Sequence, residues 1–417
     1  MDSGLFFVHA NNTHELKHTK IIRKINLFLM GIQMTVQSSL KHVKLSYPKL
    51  QEIAMIWLNQ AADLTQFLQK HANVRTVGID TEFIRERTYY PQLALVQICM
   101  DDEIALIDPC IPEIAEQLQL LLTNPTILKV MHSCSEDLQA FKAGCAVVPT
   151  PIFDTQVAAS LCGYGSSLSY LKIVEQICNV TLTKGETRSD WLQRPLTESQ
   201  MHYAADDVRY LLPIYQQLSD DLTRLNRTAW LESDCQSAIE SAQNDSPDLN
   251  PHLGLRSNQG LDQTAQIRLR RLLRWRDQRA IEKDKPKRWI IDNDVAFALC
   301  RAPIHEISEL DKVMARFPKA PKYARGHLFA LLQKPFDEEE LQAPVVKEPA
   351  QAQKIQLKAM QQTVLNLATE LNIPEGLLCS RKHLEYLLET KMWPNSLNGW
   401  RKQLLFDNFE QIINDVT

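Results

Sequence analysis

Asp80 and Glu82 stand two residues apart in GIDTEF, a stretch otherwise suited to a buried strand. A pleated strand sends residues i and i+2 to the same face. Two carboxylates side by side there repel each other and cost free energy to desolvate. HSCSEDLQAF places Asp137 in the first turn of a helix that follows an apolar strand, and MHYAADDVRYLLPIY places Tyr203 and Asp207 at i and i+4 of one helix face. Read alone, each signal is weak, because a D-x-E strand is common and an Asp at a helix start is usually a cap. Together, if the strand and the two helices meet, four carboxylates and a phenol line one cavity. They cannot all be ionised in a confined site without cations, and hard divalent ions with oxygen ligands, Mg²⁺ or Mn²⁺, answer that need. Two such ions about 3.5–4 Å apart could hold an attacking water and the leaving oxygen of a phosphodiester.

The elements that must position these groups are readable around them. MIWLNQAADLTQFLQKH, from Met55, gives a short strand and an amphipathic helix. RTVGIDTEF, LALVQICM and EIALIDPC read as three strands, followed by a helix at 114–122, the strand TILKVMHS and a helix from Ser135, whose hydroxyl is the expected N-cap. A long helix is predicted from about Thr197 to Leu218, kinked by Pro213. This order favours one mixed sheet covered by helices, an α/β layer fold. After NDSPDLNPHLG the chain reads as helix: one block over about 262–334, a proline-punctuated linker PFDEEELQAPVVKEPA, and a second block from about Lys354. The two blocks have similar helix–turn–helix layouts and read as two copies of one module. Residues 1–50 are read as an extension, either disordered or the product of an upstream start codon.

The 417 residues suffice for two or three domains, and 44% hydrophobic with 23% charged residues is the balance of a soluble globular protein. The sequence has no GxxxxGK[ST] loop, which argues against a P-loop nucleotide enzyme, and no apolar run long enough to cross a bilayer. Nine cysteines without a CxxC pair read as free thiols in a reducing, cytoplasmic compartment. The net charge of −4 announces no nucleic-acid partner, but Asp262–Ile290 carries ten Lys/Arg against four Asp/Glu.

GIDTEFIRERTYYPQLALVQI, HSCSEDLQAF and LTKGETRSDWLQRPLTESQMHYAADDVRYLLPIY, at this spacing, resemble the ribonuclease D family. The resemblance, from about Met55 to the end, implies a ribonuclease H-like α/β exonuclease domain followed by two small all-α HRDC-type (helicase and RNase D C-terminal) domains. The corresponding boundaries are 51–247, 262–336 and 351–417, with 337–350 as the linker. It implies a 3′→5′ exoribonuclease of the DEDD superfamily, in the subgroup with a tyrosine in its third motif. Such an enzyme trims tRNA precursors and other structured RNAs from single-stranded 3′ ends, releasing nucleoside 5′-monophosphates with two divalent cations, Mg²⁺ or Mn²⁺, and no nucleotide cofactor or membrane; the chain is expected to be a monomer. On this resemblance Asp80, Glu82, Asp137 and Asp207 hold the ions, and Tyr203 orients and helps deprotonate the attacking water. The Tyr-x-x-x-Asp spacing selects Asp207 over Asp206, which is turned about 100° away on a helix and is expected to face solvent. A DNA exonuclease with the same four acids, or an inert RNA-binding scaffold, are the alternatives.

Substrate contacts are expected from Phe83 stacking on a terminal base, from Tyr90 and Gln92 flanking an approach channel, and from Lys184 meeting a phosphate. IRLRRLLRWRDQRAIEKDKPKRWIIDNDVAFALC resembles an HRDC module with Leu269, Leu272, Trp275, Ile290 and Leu299 in its core. Its Arg268, Arg271 and Arg279 are expected to form a basic face for RNA phosphates. The opposing expectation is that these arginines pair with Asp277, Glu282 and the acidic linker.

Overall fold

The computed structural model describes residues 54–183, 185–186, 189–255, 260–347 and 350–414; the expectations for residues 1–50 and for Lys184 lie outside the described residues. Strand β1 (Ala54–Leu58) and helix α1 (Ala61–Lys70) precede β2 (Thr76–Ile84), β3 (Gln92–Met100) and β4 (Glu103–Ile107). Then come α2 (Pro112–Leu122), β5 (Leu128–Met131), α3 (Ser135–Cys145) and β6 (Ile152–Asp154). The six strands form one mixed sheet in the order β1-β4-β3-β2-β5-β6. Strand β3 is antiparallel to both β2 and β4, whereas β1 runs parallel to β4, and β5 runs parallel to β2 and β6. Its position explains LALVQICM: every residue from Leu93 to Met100 is buried, as a strand covered on both faces requires. Strand β6 has three residues, too few to show a period of two in the sequence.

Five helices complete this unit: α4 (Thr155–Leu161), α5 (Tyr170–Cys178), α6 (Glu198–Arg209), α7 (Leu211–Arg224) and α8 (Thr228–Gln243). The long helix expected from Thr197 is two helices. Pro213 sits in the first turn of α7, and its ring excludes the carbonyl four residues earlier, at Arg209, where α6 ends. A Thr197/Gln200 capping box starts α6. Ser135 is not an N-cap; Cys134 holds that position without a side-chain bond. Asp154 holds the turn just before the helix, accepting from the backbone N–H groups of Ser133 and Cys134 at 3.1 and 3.0 Å while also capping α4.

The first helical block contains α9 (Gln263–Lys283), α10 (Lys287–Ile290), α11 (Asn293–Arg301), α12 (Ile307–Met314), α13 (Arg325–Gln333) and α14 (Glu338–Leu341). The second contains α15 (Gln351–Leu371), α16 (Glu375–Leu378), α17 (Arg381–Thr390) and α18 (Trp400–Asn414). Helices α9 and α15 are both 21 residues long, and each ends on a left-handed cap, Asp284 at φ 46° and Asn372 at φ 51°. A four-residue helix begins three residues after each cap.

Their packing differs. The first block has a core of its own, including Leu269, Leu272, Leu299, Leu310 and Leu328, with Trp275 against its edge; Ile290 is also buried. In the second block Met360, Val364, Leu384 and Leu405 belong to the same continuous core as the sheet. Trp400 stacks on Trp230 of α8 at 4.4 Å, and Arg401 forms an ion pair with Asp234. The stretch expected to be a free linker is instead ordered over α14, and its Glu339 and Glu340 bind arginines of α9.

Candidate active site

Asp80 and Glu82 share one face of β2. Strand β5 pairs with β2 only over Thr76–Gly78, so the β2 edge beside Asp80–Glu82 is not closed by β5. Helix α3 starts four residues after β5 ends, and Asp137 in its first turn reaches that open edge. Thr81 points to the face opposite Asp80 and Glu82, and its hydroxyl donates to Asp137 Oδ1. Asp137 thus enters at the strand's edge rather than across the face. Helix α6 packs over β2, β3 and β4, bringing Tyr203 and Asp207 from above, close enough for the Tyr203 hydroxyl and the Asp207 carboxylate to shift each other's pKa.

The four carboxylates lie within mutual electrostatic range. Burial, then the charges of Asp137, Asp207 and Glu82, hold Asp80 well above the usual carboxylate range. Burial, then Asp207 and Asp137, push Glu82 up to about 9. Burial raises Asp137 to about 7 against the opposing bond from Thr81, and raises Asp207 to about 7 with help from Asp206 and against the Tyr203 hydroxyl. The Tyr203 phenol is also raised, by burial first and then by Asp207, Glu82 and Asp80, so it keeps its proton at neutral pH. Among the described residues, none of the four carboxylates forms a salt bridge with a basic side chain.

An oxygen-only donor set carrying this much uncompensated negative charge fits hard divalent cations. The floor of the site has unused hydrogen-bonding capacity as well. Gln97 faces Asp80 across the β2–β3 register, is fully buried, and neither atom of its amide has a partner. Among the described residues, no three His, Cys, Asp or Glu side chains already stand so that they could hold a metal ion. A cleft of about 420 Å³ opens on the Tyr203 and Asp207 side and is lined by Thr183, Glu186, His202 and Asp206 as well.

Several residues named from the sequence stand elsewhere or do something else. Phe83 follows a β-bulge after Glu82 and packs against the core. Tyr90 is 46% exposed, and Gln92 is exposed at the start of β3. Asp206 faces solvent in part, its side chain 43% exposed, while it also lines the cleft, pairs with Arg209 at 2.9 Å, and its carbonyl accepts from Tyr170. Arg271 is not a surface residue. It is 7% exposed, bonded to both oxygens of Glu340 and to the carbonyls of Leu331, Lys334 and Pro335. Arg279 pairs with Glu282 on the surface, and Arg268 is half-buried. Sequence reasoning did not single out Thr81, although it stands between the two acids of the D-x-E pair. It also missed Gly185, where a Cβ would come within 2.1 Å of the Tyr203 ring.

A family model described as a 3′-5′ exonuclease matches residues 55–223. Ribonuclease D of Xanthomonas oryzae pv. oryzae is 47% identical over 349 residues, which span 84% of this chain and 96% of that protein. Ribonuclease D of a Shewanella species is 31% identical over 367 residues, 85% of this chain and 93% of its own. Among solved structures, Escherichia coli RNase D, described as an exoribonuclease involved in structured RNA processing, matches with a TM-score of 0.74 at 26% identity. That match covers 87% of this chain and 99% of the other.

Proposed function

The chain belongs to the ribonuclease D family and is a 3′→5′ exoribonuclease, and from that premise we propose how its own residues carry out the hydrolysis. Enzymes of this family and fold use divalent cations. Asp80, Glu82, Asp137 and Asp207 are the residues that would hold two of them, Mg²⁺ or Mn²⁺. When bound there, the cations would supply Lewis-acid charge to the scissile phosphodiester and lower the pKa of a bound water. Thr81 fixes the Asp137 carboxylate through its hydroxyl. Asp207 stands beside the Tyr203 hydroxyl, and the protonated phenol orients the attacking water. The cleft next to Tyr203 admits the terminal nucleotide of a single-stranded 3′ end, and a nucleoside 5′-monophosphate leaves.

The observation that carries this reading is the cluster of four carboxylates with no basic partner among the described residues, with Tyr203 beside Asp207 on the same helix face. The physiological substrates are tRNA precursors and other structured RNAs in the cytoplasm, where nine free thiols suit the reducing conditions. The two helical blocks are HRDC-type domains, 262–336 and 351–417, following an exonuclease domain at 51–247. The matched lengths of α9 and α15 and their shared left-handed caps support two copies of one module. Lys184 contributes a phosphate contact before the third motif.

Matched 3′-tailed RNA and DNA, labelled at the 3′ end, test the proposal with and without EDTA. Release of 5′-monophosphates from RNA, stopped by EDTA and restored by Mg²⁺ or Mn²⁺, is the expected result. Equal turnover of the DNA would make the enzyme a general exonuclease. RNA binding without release under either metal would leave a scaffold.

A further inference from the structure

We propose that Asp284 is a positioning residue for the reaction: it fixes the first helical block against the turn at the mouth of the catalytic site. The inference rests on the reading that this chain trims structured RNA.

Asp284 caps α9 in the left-handed conformation, at φ 46° and ψ 54°. Glycine or asparagine ordinarily fills such a cap, because a Cβ is disfavoured there. Aspartate has a second task at this position. Its Oδ1 accepts from the backbone N–H groups of both Tyr89 and Tyr90, at 2.9 and 3.1 Å. Among the described residues these are the only hydrogen bonds that join residues 54–243 to residues 260–334.

The turn they hold leads back to the carboxylates. The Tyr89 carbonyl accepts from Arg85 Nε at 3.0 Å, and Arg85 also donates to Gln139 Oε1 at 3.0 Å. Gln139 lies two residues beyond Asp137 on α3, and Arg85 directly follows the strand that carries Asp80 and Glu82. A groove of about 400 Å³, bounded by Tyr90, Gln92, Leu93, Gly144 and Asp284, lies beside the latch.

The second block shows the same device with other support. Its equivalent cap, Asn372, packs on Gly163 so closely that a Cβ at Gly163 would fall 2.3 Å from Asn372 Nδ2. That block also shares its core with the sheet, whereas the first block has a separate core. The orientation of the first block therefore depends on its linkers, on the Asp284 carboxylate and on the Lys287 ammonium, which lies 6.0 Å over the Tyr89 ring.

Two variants isolate the acceptor. Asp284→Gly suits the left-handed cap and removes the latch; Asp284→Asn keeps both the cap and an acceptor oxygen. With a tRNA-sized RNA bearing a 3′ extension, Asp284→Gly is expected to raise KM about tenfold at unchanged kcat, in keeping with the loss of two charge-assisted bonds. A short unstructured oligoribonucleotide should be cleaved as by the wild type, and Asp284→Asn should match the wild type on both. An unchanged KM of Asp284→Gly on the large RNA overturns the proposal. So does an equal loss on both RNAs, which would confine Asp284 to shaping the turn, or a defect in Asp284→Asn as large as that of Asp284→Gly. Wild-type turnover of the two RNAs separately tests the reading beneath it.

Discussion

The carboxylate pocket and the arginine-rich helix α9 are both dense charge clusters, and they are built on opposite terms. In the pocket, burial first and then neighbouring carboxylates raise the pKa values of Asp80, Glu82, Asp137 and Asp207, and no basic side chain pairs with them among the described residues. On α9, Arg270 and Arg274 pair with Glu339, Arg271 with Glu340, Arg276 with Asp277 and Arg279 with Glu282. Charge left unbalanced inside the chain calls for a ligand from outside. Charge balanced inside the chain holds helices together. A count of charged residues cannot separate the two, because the partners of Arg270 and Arg271 lie 69 residues away.

The widest separation between the regions should appear in turnover. Asp80→Ala removes a ligand and is expected to abolish hydrolysis, while RNA binding, measured by anisotropy, persists. Asp206→Ala should leave turnover within a few-fold, since Asp206 is balanced by Arg209. Equal losses would mean that unbalanced charge does not mark the catalytic group. Tyr203→Phe retains the ring and loses the hydroxyl beside Asp207. Single-turnover cleavage should slow by roughly 10²–10⁴-fold with little change in RNA affinity. A drop in affinity with intact chemistry would move Tyr203 from the reaction to substrate binding.

The pocket was legible in the sequence because its spacing is local: i and i+2 on a strand, the first turn of a helix, i and i+4 on another. What could not be read is what depends on pairing between distant segments. The open edge beside Asp80 exists because β5 stops pairing at Gly78, and β6 is too short to show a pattern. The helix carrying Asp137 starts one residue earlier than expected, after a turn that Asp154, 20 residues downstream of Cys134, holds from a distance. The basic face lost Arg271 for the same reason. Helical periodicity placed Arg271 correctly on a turn of α9, but the fold brings Glu340 against it.

Arg271→Ala therefore tests the architectural half of the comparison. It leaves the Glu340 carboxylate buried without its partner, a loss on the order of 3 kcal/mol for the first block. Amide hydrogen exchange over residues 262–334 should speed up, while the sheet keeps its protection. Arg279→Ala, at a surface pair, should leave exchange unchanged and alter the salt slope of RNA binding by about one unit or less. Exchange unchanged in Arg271→Ala would show that the buried pair holds nothing in place.

The smallest effect expected is also the one in which the two regions respond with opposite sign to pH. In the pocket the folded pKa values are raised, to about 9 for Glu82 and about 7 for Asp137 and Asp207, from ordinary values of 4.5 and 3.8. Between those limits the folded protein binds more protons than the unfolded chain, so these groups lower stability as pH rises. In the arginine cluster the sign reverses. Arg271, by hydrogen bond and charge, holds the Glu340 carboxyl below its usual range, so its contribution is present above the unfolded pKa and is lost as pH falls. In EDTA, Asp207→Asn removes one of the forced ionisations. Its Tm should approach or exceed the wild-type value as pH climbs from about 5 to 8, by a few degrees at most for a chain of this size. Glu340→Gln should instead trail the wild type by a constant amount over that range, where the ionised pair is already complete, and draw closer to it only as pH falls below about 4.5. Mg²⁺ or Mn²⁺ should erase the Asp207→Asn advantage at pH 8 by neutralising the wild-type pocket, and should leave the Glu340→Gln deficit as it was. A cation effect of equal size on both variants would mean that the ions act on the chain's general charge rather than at the four carboxylates.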